Sequence, residues 1–189
     1  FCSDFSALEN LPFHISDLLD QASVPFQSLS FIGVVQGPGG YTGVRLGVSI
    51  AKTLAQMGHV PLLGVSTLDI LAFKLRGLSQ LAMVVIPGRT KELNVAFFQL
   101  LPEGETRLTT DFILTFSELE TLLTKLLQPI YVVGVFSDPL RDHLAKLDTC
   151  HYILPQRIQG GDVALFVDSK EGVSVDDQAL FPIYSHQPV

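Results

Sequence analysis

The segment from residue 37 to residue 45 contains the residue types most suited to chemistry. It places four glycines and one proline directly after an apolar run, and it reads Gly37-Pro38-Gly39-Gly40-Tyr41-Thr42-Gly43-Val44-Arg45. Glycine-rich turns that open a helix present backbone N–H groups and the positive end of the helix dipole, and both attract anions. One hypothesis is therefore a phosphate-binding loop, as in an ATP-using kinase or ATPase.

The loop departs from both well-defined nucleotide-binding motifs. A P-loop needs a Lys-Ser/Thr pair after its last glycine, whereas Gly43 is followed by Val44 and Arg45. A dinucleotide-binding fingerprint needs its third glycine where Thr42 stands. The ATP-using enzyme therefore stays as the alternative hypothesis, and no Mg²⁺-binding motif is formed by its candidate acids, which are Asp4, Asp111 and Asp162.

The other reactive residue types are scattered along the chain. No HxxxH or HExxH pattern and no recognised Ser/His/Asp motif includes any of the histidines, which are His14, His59, His143, His151 and His186. Cys2 and Cys150 lack CxxC or Cys/His spacing. We therefore expect no catalytic residue, no metal site and no cofactor, and a metal-dependent peptidase is not favoured.

Composition restricts the classes of partner. Hydrophobic residues make up 47% of the 189 residues, charged residues 16%, and the formal net charge is -7. No apolar run approaches the roughly 18 residues that a membrane-spanning helix needs, and no block of lysines or arginines could follow a phosphate backbone. We therefore expect a soluble protein that neither crosses a membrane nor binds nucleic acid directly.

Strands and helices alternate in the first half of the chain. The spacing of its leucines predicts a helix over residues 8–22, followed by a strand over 31–35. Thr42 is expected to cap a second helix that ends near Met57. A strand over 61–65 follows. A third helix, capped by Ser66 and Thr67, then runs to Leu75. This alternation is typical of an α/β architecture.

The second half begins with a predicted hairpin of strands 81–86 and 94–100. The hairpin is followed by a strand over 109–115, a helix over 117–127, a strand over 130–135 and a helix over 139–147. Residues 162–166 are helix-prone if Asp162 caps them. The composition changes near Gly88. We therefore expect an N-terminal lobe at residues 1–87, which carries the interface helices, and a C-terminal lobe at residues 88–189.

The second predicted helix is apolar around most of its circumference. Small side chains recur every four residues along it, at Gly43, Gly47, Ala51 and Ala55. Such a ridge permits close approach of another helix. Apolar residues flank it on both sides, and these are Val44, Val48, Leu46, Ile50, Leu54 and Met57. The pattern predicts burial on more than one side, against the chain's own sheet and against either the first helix or another protein.

Residues 37–47 resemble a family signature. They are similar to the Gly-Pro-Gly-Ser-Phe-Thr-Gly-Val-Arg-Ile-Gly motif of the bacterial TsaB (YeaZ) family, with Gly40 and Tyr41 in place of Ser and Phe. Residues 61–68 resemble the same family's Pro-Val-Val-Gly-Val-Ser-Ser-Leu. The resemblance is strong over residues 31–70, loose at both ends and faint between Leu100 and Gly160.

This resemblance implies a two-lobed, actin-like and RNase H-like (ASKHA) fold. It further implies a cytoplasmic, non-catalytic subunit of the complex that makes N6-threonylcarbamoyladenosine at tRNA position 37. The implied partners are a TsaD-like catalytic paralogue and also a TsaE-like ATPase. The family pairs through its two N-terminal helices, with TsaD or, when alone, with a second copy. The implied interface consists of Leu11, Ile15, Leu18, Leu19, Gly43, Val44, Gly47, Val48, Ala51, Leu54 and Ala55.

Three features depart from the family pattern. The family's opening strand and its Asp-Thr/Ser phosphate loop are expected before Phe1, and Ser6-Ala7 replaces its His-Ser pair. Pro87-Gly88-Arg89 stands for Asp-Ala-Arg, and Asn94 replaces a tyrosine. An interface built on apolar shape does not depend on these groups.

Overall fold

The structure is a computed structural model of the chain. It describes residues 10–88, 91–126, 129–134, 141–142, 144, 146, 150–153, 158–170 and 180–183. The α-helices are α1 (Leu11–Ala22), α2 (Tyr41–Gly58), α3 (Thr67–Phe73), α4 (Phe116–Lys125) and α5 (Gly160–Ser169), and Phe26–Ser28 form a short 3-10 helix. The strands are β1 (Ile32–Gly37), β2 (Leu62–Ser66), β3 (Leu81–Pro87), β4 (Glu92–Leu101), β5 (Gly104–Arg107), β6 (Phe112–Thr115), β7 (Ile130–Gly134) and β8 (Cys150–Ile153).

The first sheet is a parallel pair of strands. β1 and β2 run side by side with Ile32 opposite Leu62 and Val35 opposite Val65. Helix α2 connects them and packs on one face, where Val48 and its neighbours form a cluster with Leu62. Helices α3 and α5 pack on the other face. Both faces of this pair are therefore covered, as parallel strands require.

The second sheet is mixed and has six strands. Its order is β5-β4-β3-β7-β8. The sixth strand, β6, pairs with the first half of β4, and β5 pairs with the second half of the same strand. β3 pairs antiparallel with β4 and parallel with β7. Helix α3 covers one face through Leu68, Leu71 and Ala72, and α4 covers the other through Leu119 and Leu123. Helix α3 thus contributes to the cores of both sheets.

Most sequence predictions are confirmed, with shifted ends. The α/β class and the β3–β4 hairpin are correct, and the Ser66 hydroxyl accepts a 3.1 Å hydrogen bond from the N–H of Leu68, so Ser66 caps α3. The first helix begins at Leu11, and residues 8–9 lie outside the described residues. The helix expected over 139–147 also falls mostly outside them. The short strands β5 and β8 were not predicted.

Two predicted caps are wrong in detail. Helix α2 begins at Tyr41 after Gly40, so Thr42 lies inside its first turn and caps nothing. Helix α5 begins at Gly160, and Asp162 is its third residue rather than its N-cap. The Asp162 carboxylate nevertheless accepts the backbone N–H of Gln159 at 2.8 Å, so it does satisfy a free donor at the helix start.

The chain passes from the first sheet to the second between α3 and β3. Strands β1 and β2, which end at Ser66, form the parallel pair, and the strands from Leu81 onward form the six-stranded sheet. The division into lobes at residues 87 and 88 stays a prediction. No helix in the described part of the chain has the length and apolar character to cross a membrane.

Ion pairs fix α3 and α5 in place. Lys74, which follows α3, contacts Asp162 of α5 at 2.6 Å, and Lys170 at the end of α5 contacts Glu105 of β5 at 2.9 Å. Arg107 of β5 bonds Asp69 of α3 at 2.6 Å and also pairs with Asp111. Burial raises the pKa of Asp69, and the charge of Arg107 opposes that rise. These contacts join the α3–α5 layer to the six-stranded sheet.

The contribution of Asp162 to the stability of this layer can be tested by neutralising its side chain and measuring stability at several pH values. The hydrogen bonds from Lys74 and from the N–H of Gln159 lower the pKa of Asp162 below its ordinary 3.8. Because the folded pKa is the lower one, the stabilisation is present above pH 3.8 and is lost as pH falls through the folded pKa. We expect Asp162→Asn to lower the free energy of unfolding by about 1 kcal/mol at neutral pH, as measured in urea.

The pH profile and a control on the same helix complete the test. The difference between wild type and Asp162→Asn should shrink as the urea titrations are moved below pH 3.8. Asp168→Asn removes an exposed acid of α5 and should change stability by less than about 0.5 kcal/mol. A deficit for Asp162→Asn that persists unchanged at the lowest pH would contradict this explanation.

Candidate functional site

The glycine-rich loop is held by backbone constraints. Gly37 lies at a φ of +105°, a region that side chains disfavour, and a Cβ at this position would come within 2.7 Å of the Ile183 carbonyl oxygen. The neighbouring Gln36 carbonyl accepts the N–H of Ile183 at 2.7 Å. Residue 37 must therefore be glycine for the C-terminal segment 180–183 to lie against the loop.

The loop passes directly into α2. Gly37 and Pro38 are buried, whereas Gly39 and Gly40 are exposed, and Gly40 precedes the helix and accepts the N–H of Val44 at 3.0 Å. Of the predicted loop residues on α2, Tyr41, Thr42 and Arg45 are exposed. The structure thus brings the predicted loop residues together at one end of α2.

One side of α2 lies in the chain's own core. Val48, Ala51 and Ala55 are 3%, 7% and 3% exposed, and they pack with Leu62 and Leu180, while Val44 is half-buried against the same cluster. Their predicted contact with a partner stays a prediction. In this structure they attach α2 to β1 and β2, so a charge at Val48 would disrupt folding rather than test binding alone.

The opposite side of α2 is also apolar. With 3.6 residues per turn, Leu46, Ile50 and Met57 lie roughly opposite to Val48 and Ala55. A Cβ added at Gly43 or Gly47 would meet no atom within 4 Å. Met57 is 76% exposed. We call this side the outer face of α2, and its residues are Gly43, Leu46, Gly47, Ile50, Leu54 and Met57.

Helix α1 has an apolar stripe without a buried residue. Five side chains fall within about 100° of arc on this helix, and they are Leu11, Ile15, Leu18, Leu19 and Ala22. None of them is buried, and Leu18 is 66% exposed. An amphipathic helix gains most of its stability by burying its apolar face, and here Leu11, Ile15 and Leu19 are only half-buried by the described residues.

The candidate acids of the ATP-using alternative have other contacts. Asp111 pairs with Arg107, and Asp162 pairs with Lys74, while Asp4 lies outside the described residues. Within the described part of the chain, no group of three His, Cys, Asp or Glu side chains could hold a metal ion. His14 is exposed on α1, and His59 is exposed just after α2.

Sequence reasoning missed the contribution of the C-terminal segment. Leu180 is 1% exposed within the α2 core cluster, and the Phe181 ring, 66% exposed, lies 4.8 Å from Lys52 Nζ. The Gln36 amide donates to the Phe181 carbonyl at 2.8 Å. No local pattern could have revealed these contacts, because they join residues more than 100 positions apart.

Comparison with known proteins decides the family. The sequence model described as TsaD: tRNA N6-adenosine threonylcarbamoyltransferase matches residues 6–131. The chain belongs to this family. TsaB of Bacillus subtilis (strain 168) is 38% identical over 85 residues, which cover 45% of this chain and 37% of that protein. The recognition of TsaB (YeaZ) from the glycine-rich motif is therefore confirmed.

Other relatives extend this result. The tRNA N6-adenosine threonylcarbamoyltransferase of Clostridioides difficile (strain 630) is 34% identical over 62 residues, 33% of this chain and 18% of that enzyme. The structure of YeaZ from Pseudomonas aeruginosa superposes with a TM-score of 0.71 at 20% identity, covering 94% of this chain and 84% of that one. The actin-like, RNase H-like fold is thereby confirmed. The matched region spans about a third of the B. subtilis protein.

Two alanine substitutions separate the constrained glycine from the open one. Gly37→Ala should lower the free energy of unfolding by about 2 kcal/mol, because of its positive φ and the nearby Ile183 carbonyl. Gly47→Ala should raise it by about 0.5–1 kcal/mol, because alanine favours the helix and its Cβ meets nothing. Urea unfolding of both variants measures the difference, and equal effects would contradict the description of α2.

Proposed function

We propose that this chain is a non-catalytic subunit in the synthesis of N6-threonylcarbamoyladenosine at tRNA position 37. In this proposal it binds a TsaD-like catalytic protein through the α1 stripe and the outer face of α2. It acts in the cytoplasm with a TsaE-like ATPase as a further component. In the absence of TsaD, the same surface pairs two copies of the chain.

The observation that carries the proposal is that α2 is apolar on two opposite sides. One side is occupied by the chain's own core, through Val48, Ala51 and Ala55. The other carries Leu46 and Ile50 beside two glycines that leave open space. Open glycines in a helix lower its stability by about 1 kcal/mol each, and close approach of a partner helix is a physical reason to retain them.

The α1 stripe adds a second helix with the same property. Its Leu18 is 66% exposed, and it lies in a run of apolar residues spaced for one helix face. Two apolar helix faces are what a helical interface between protein subunits requires. Because the stripe and the outer face are apolar, their partner should present a similar pair of helices.

The names of the relatives support a pairing of two related proteins. Some are tRNA threonylcarbamoyladenosine biosynthesis proteins TsaB, and others are threonylcarbamoyltransferases, so one sequence family contains both. We assign the transfer reaction to the second group. The present chain then contributes shape and position to the complex, and no nucleophile or general base.

The alternative is an enzyme that uses ATP at the glycine-rich loop. Its support is the exposed Gly39 and Gly40 at the start of α2. An ATP hydrolysis assay separates the two functions. Turnover by this chain alone would favour the alternative, whereas turnover that needs the TsaD-like protein is expected from a subunit role.

Charged substitutions on exposed interface residues test the proposal directly. Leu18→Asp and Met57→Asp each place a charge on a side chain that is 66% or 76% exposed, so the fold should be retained. We expect each to weaken binding to the TsaD-like protein of the same organism by about 2 kcal/mol or more, roughly 30-fold in Kd. Isothermal titration calorimetry measures the affinity.

The matched control is Leu165→Asp on α5. Leu165 is 54% exposed and lies outside the proposed surface, so this variant should bind with the affinity of the wild type. Circular dichroism of all three variants checks that they are folded. Wild-type affinity for both Leu18→Asp and Met57→Asp would remove the basis of the proposed interface.

A further inference from the structure

Residues 180–183, the last described segment of the chain, close over the start of the glycine-rich loop. We call these four residues the latch. The N–H of Ile183 donates to the Gln36 carbonyl at 2.7 Å, and the Gln36 side-chain amide donates to the Phe181 carbonyl at 2.8 Å. Gln36 therefore holds the latch with its backbone and with its side chain, at the point where β1 passes into the loop.

Two glycines leave the space that this contact needs. A Cβ on Gly64 of β2 would overlap the Gln36 amide and would lie 2.6 Å from Leu180 Cδ1. A Cβ on Gly37 would lie 2.7 Å from the Ile183 carbonyl oxygen. Close-packed atoms do not approach each other to these distances, so a larger residue at either position would push the latch away. Both glycines therefore fit the chain's own C-terminal segment.

Protein atoms lie against the two glycines at the start of the loop. A Cβ on Gly39 would lie 3.3 Å from one Val44 methyl group, and a Cβ on Gly37 would lie 3.5 Å from the other. The Ile183 carbonyl oxygen lies next to Gly37 as well, and its partial negative charge opposes an anion there. At Gly37 the loop therefore binds the latch and not a phosphate.

The latch also contributes to the core of α2. Leu180 is 1% exposed and packs in the cluster that attaches α2 to β1 and β2. The Lys52 ammonium of α2 lies 4.8 Å from the centre of the Phe181 ring. An open latch would lose both contacts and would leave a cavity beside α2 at the position of the Leu180 side chain. The position of α2 thus depends on the latch.

Few contacts hold the latch in place. Of its four residues only Leu180 is buried, whereas Phe181 is exposed and Pro182 and Ile183 are half-buried. One buried side chain and two hydrogen bonds to Gln36 are far less than the contacts that hold the strands together. Segments with few buried contacts open locally while the rest of a protein stays folded. We therefore expect the latch to open without unfolding of the β1–β2 pair.

We propose that the latch is a conformational switch that controls partner binding. The closed latch binds the glycine-rich loop and holds α2 in the position that binds the protein partner, and the open latch weakens that binding. The inference rests on the proposed function for the partner and adds a dependence on the C-terminal segment. By linkage, a partner that prefers the closed form also shifts the latch toward that form.

Hydrogen–deuterium exchange of the Ile183 amide, followed by NMR on the full chain, measures latch opening. This N–H donates to Gln36 in the closed latch and exchanges when the latch opens. Gln36→Glu replaces the donating amide with a carboxylate oxygen, which repels the Phe181 carbonyl. We expect Gln36→Glu to speed exchange of the Ile183 amide by about tenfold or more.

The matched control is Gln80→Glu, just before β3. Gln80 is also half-buried, and its amide donates to the carbonyl of a distant residue, Pro129, at 3.2 Å. The control changes the charge equally and breaks the same kind of bond, so it should change Ile183 exchange by less than about twofold. Leu180→Ala removes the apolar anchor of the latch and should speed exchange by about tenfold or more. Thermal unfolding verifies that all three variants are folded.

The affinity for the TsaD-like protein of the same organism, measured by calorimetry, tests the coupling. We expect Gln36→Glu to raise Kd by about threefold or more, because part of the binding energy is used to close the latch, and Gln80→Glu to leave Kd unchanged. Wild-type exchange of Ile183 in both latch variants would overturn the inference. Faster exchange with an unchanged Kd would overturn it as well.

The wild-type chain separates this inference from the proposed function. If it binds the TsaD-like protein and Gln36→Glu binds equally well, the subunit role stands and the latch does not control binding. If it binds no TsaD-like protein, the proposed function fails and the coupling fails with it, whereas the exchange measurement still decides whether the latch opens.

Discussion

The packing of α2 on the β1–β2 pair is the contact on which the rest of the surface depends. Val48, Ala51 and Ala55 attach one side of the helix to Leu62 and Leu180, and this fixes which side chains point away from the core. Small residues bring the helix close to the strands, since alanines leave little volume between them. The position of the outer face therefore follows from this packing arrangement.

The C-terminal segment makes this arrangement depend on distant parts of the sequence. Leu180 completes the α2 cluster, and Ile183 bonds the strand residue just before the glycine-rich loop. On the opposite face of the strands, α5 supplies Val163 and Phe166, and ion pairs join it to α3 and β5. Residues far apart in the sequence therefore support the same pair of strands from both sides.

The glycine-rich loop, α2 and the β3–β4 hairpin could be predicted because their signals are local. A strand, then a glycine-rich turn, then a long helix with regular apolar spacing allows few other assignments of secondary structure. β5 and β8 have four residues each and pair at or near the sheet margin, so they carry little hydrophobic pattern. Short strands of this kind are determined by tertiary pairing rather than by sequence periodicity.

The site was predicted less completely than the fold for a similar reason. Periodicity identified both apolar sides of α2, but it could not decide whether Val48 or Leu46 faces the chain's own strands. The small-residue ridge was predicted as one surface, whereas Gly43 and Gly47 are open and Ala51 and Ala55 are buried. Four residues turn a helix by about 40° more than a full circle. A ridge formed by every fourth residue therefore winds around the helix from one environment into another.

The central claim is that the α1 stripe and the outer face of α2 serve a protein partner. The most direct measurement is the mass of the species formed when the chain is mixed with the TsaD-like protein of its organism, by size-exclusion chromatography with light scattering. The account predicts a stable complex with one copy of each protein. Separate elution of the two proteins, with ATP turnover by this chain alone, would contradict it.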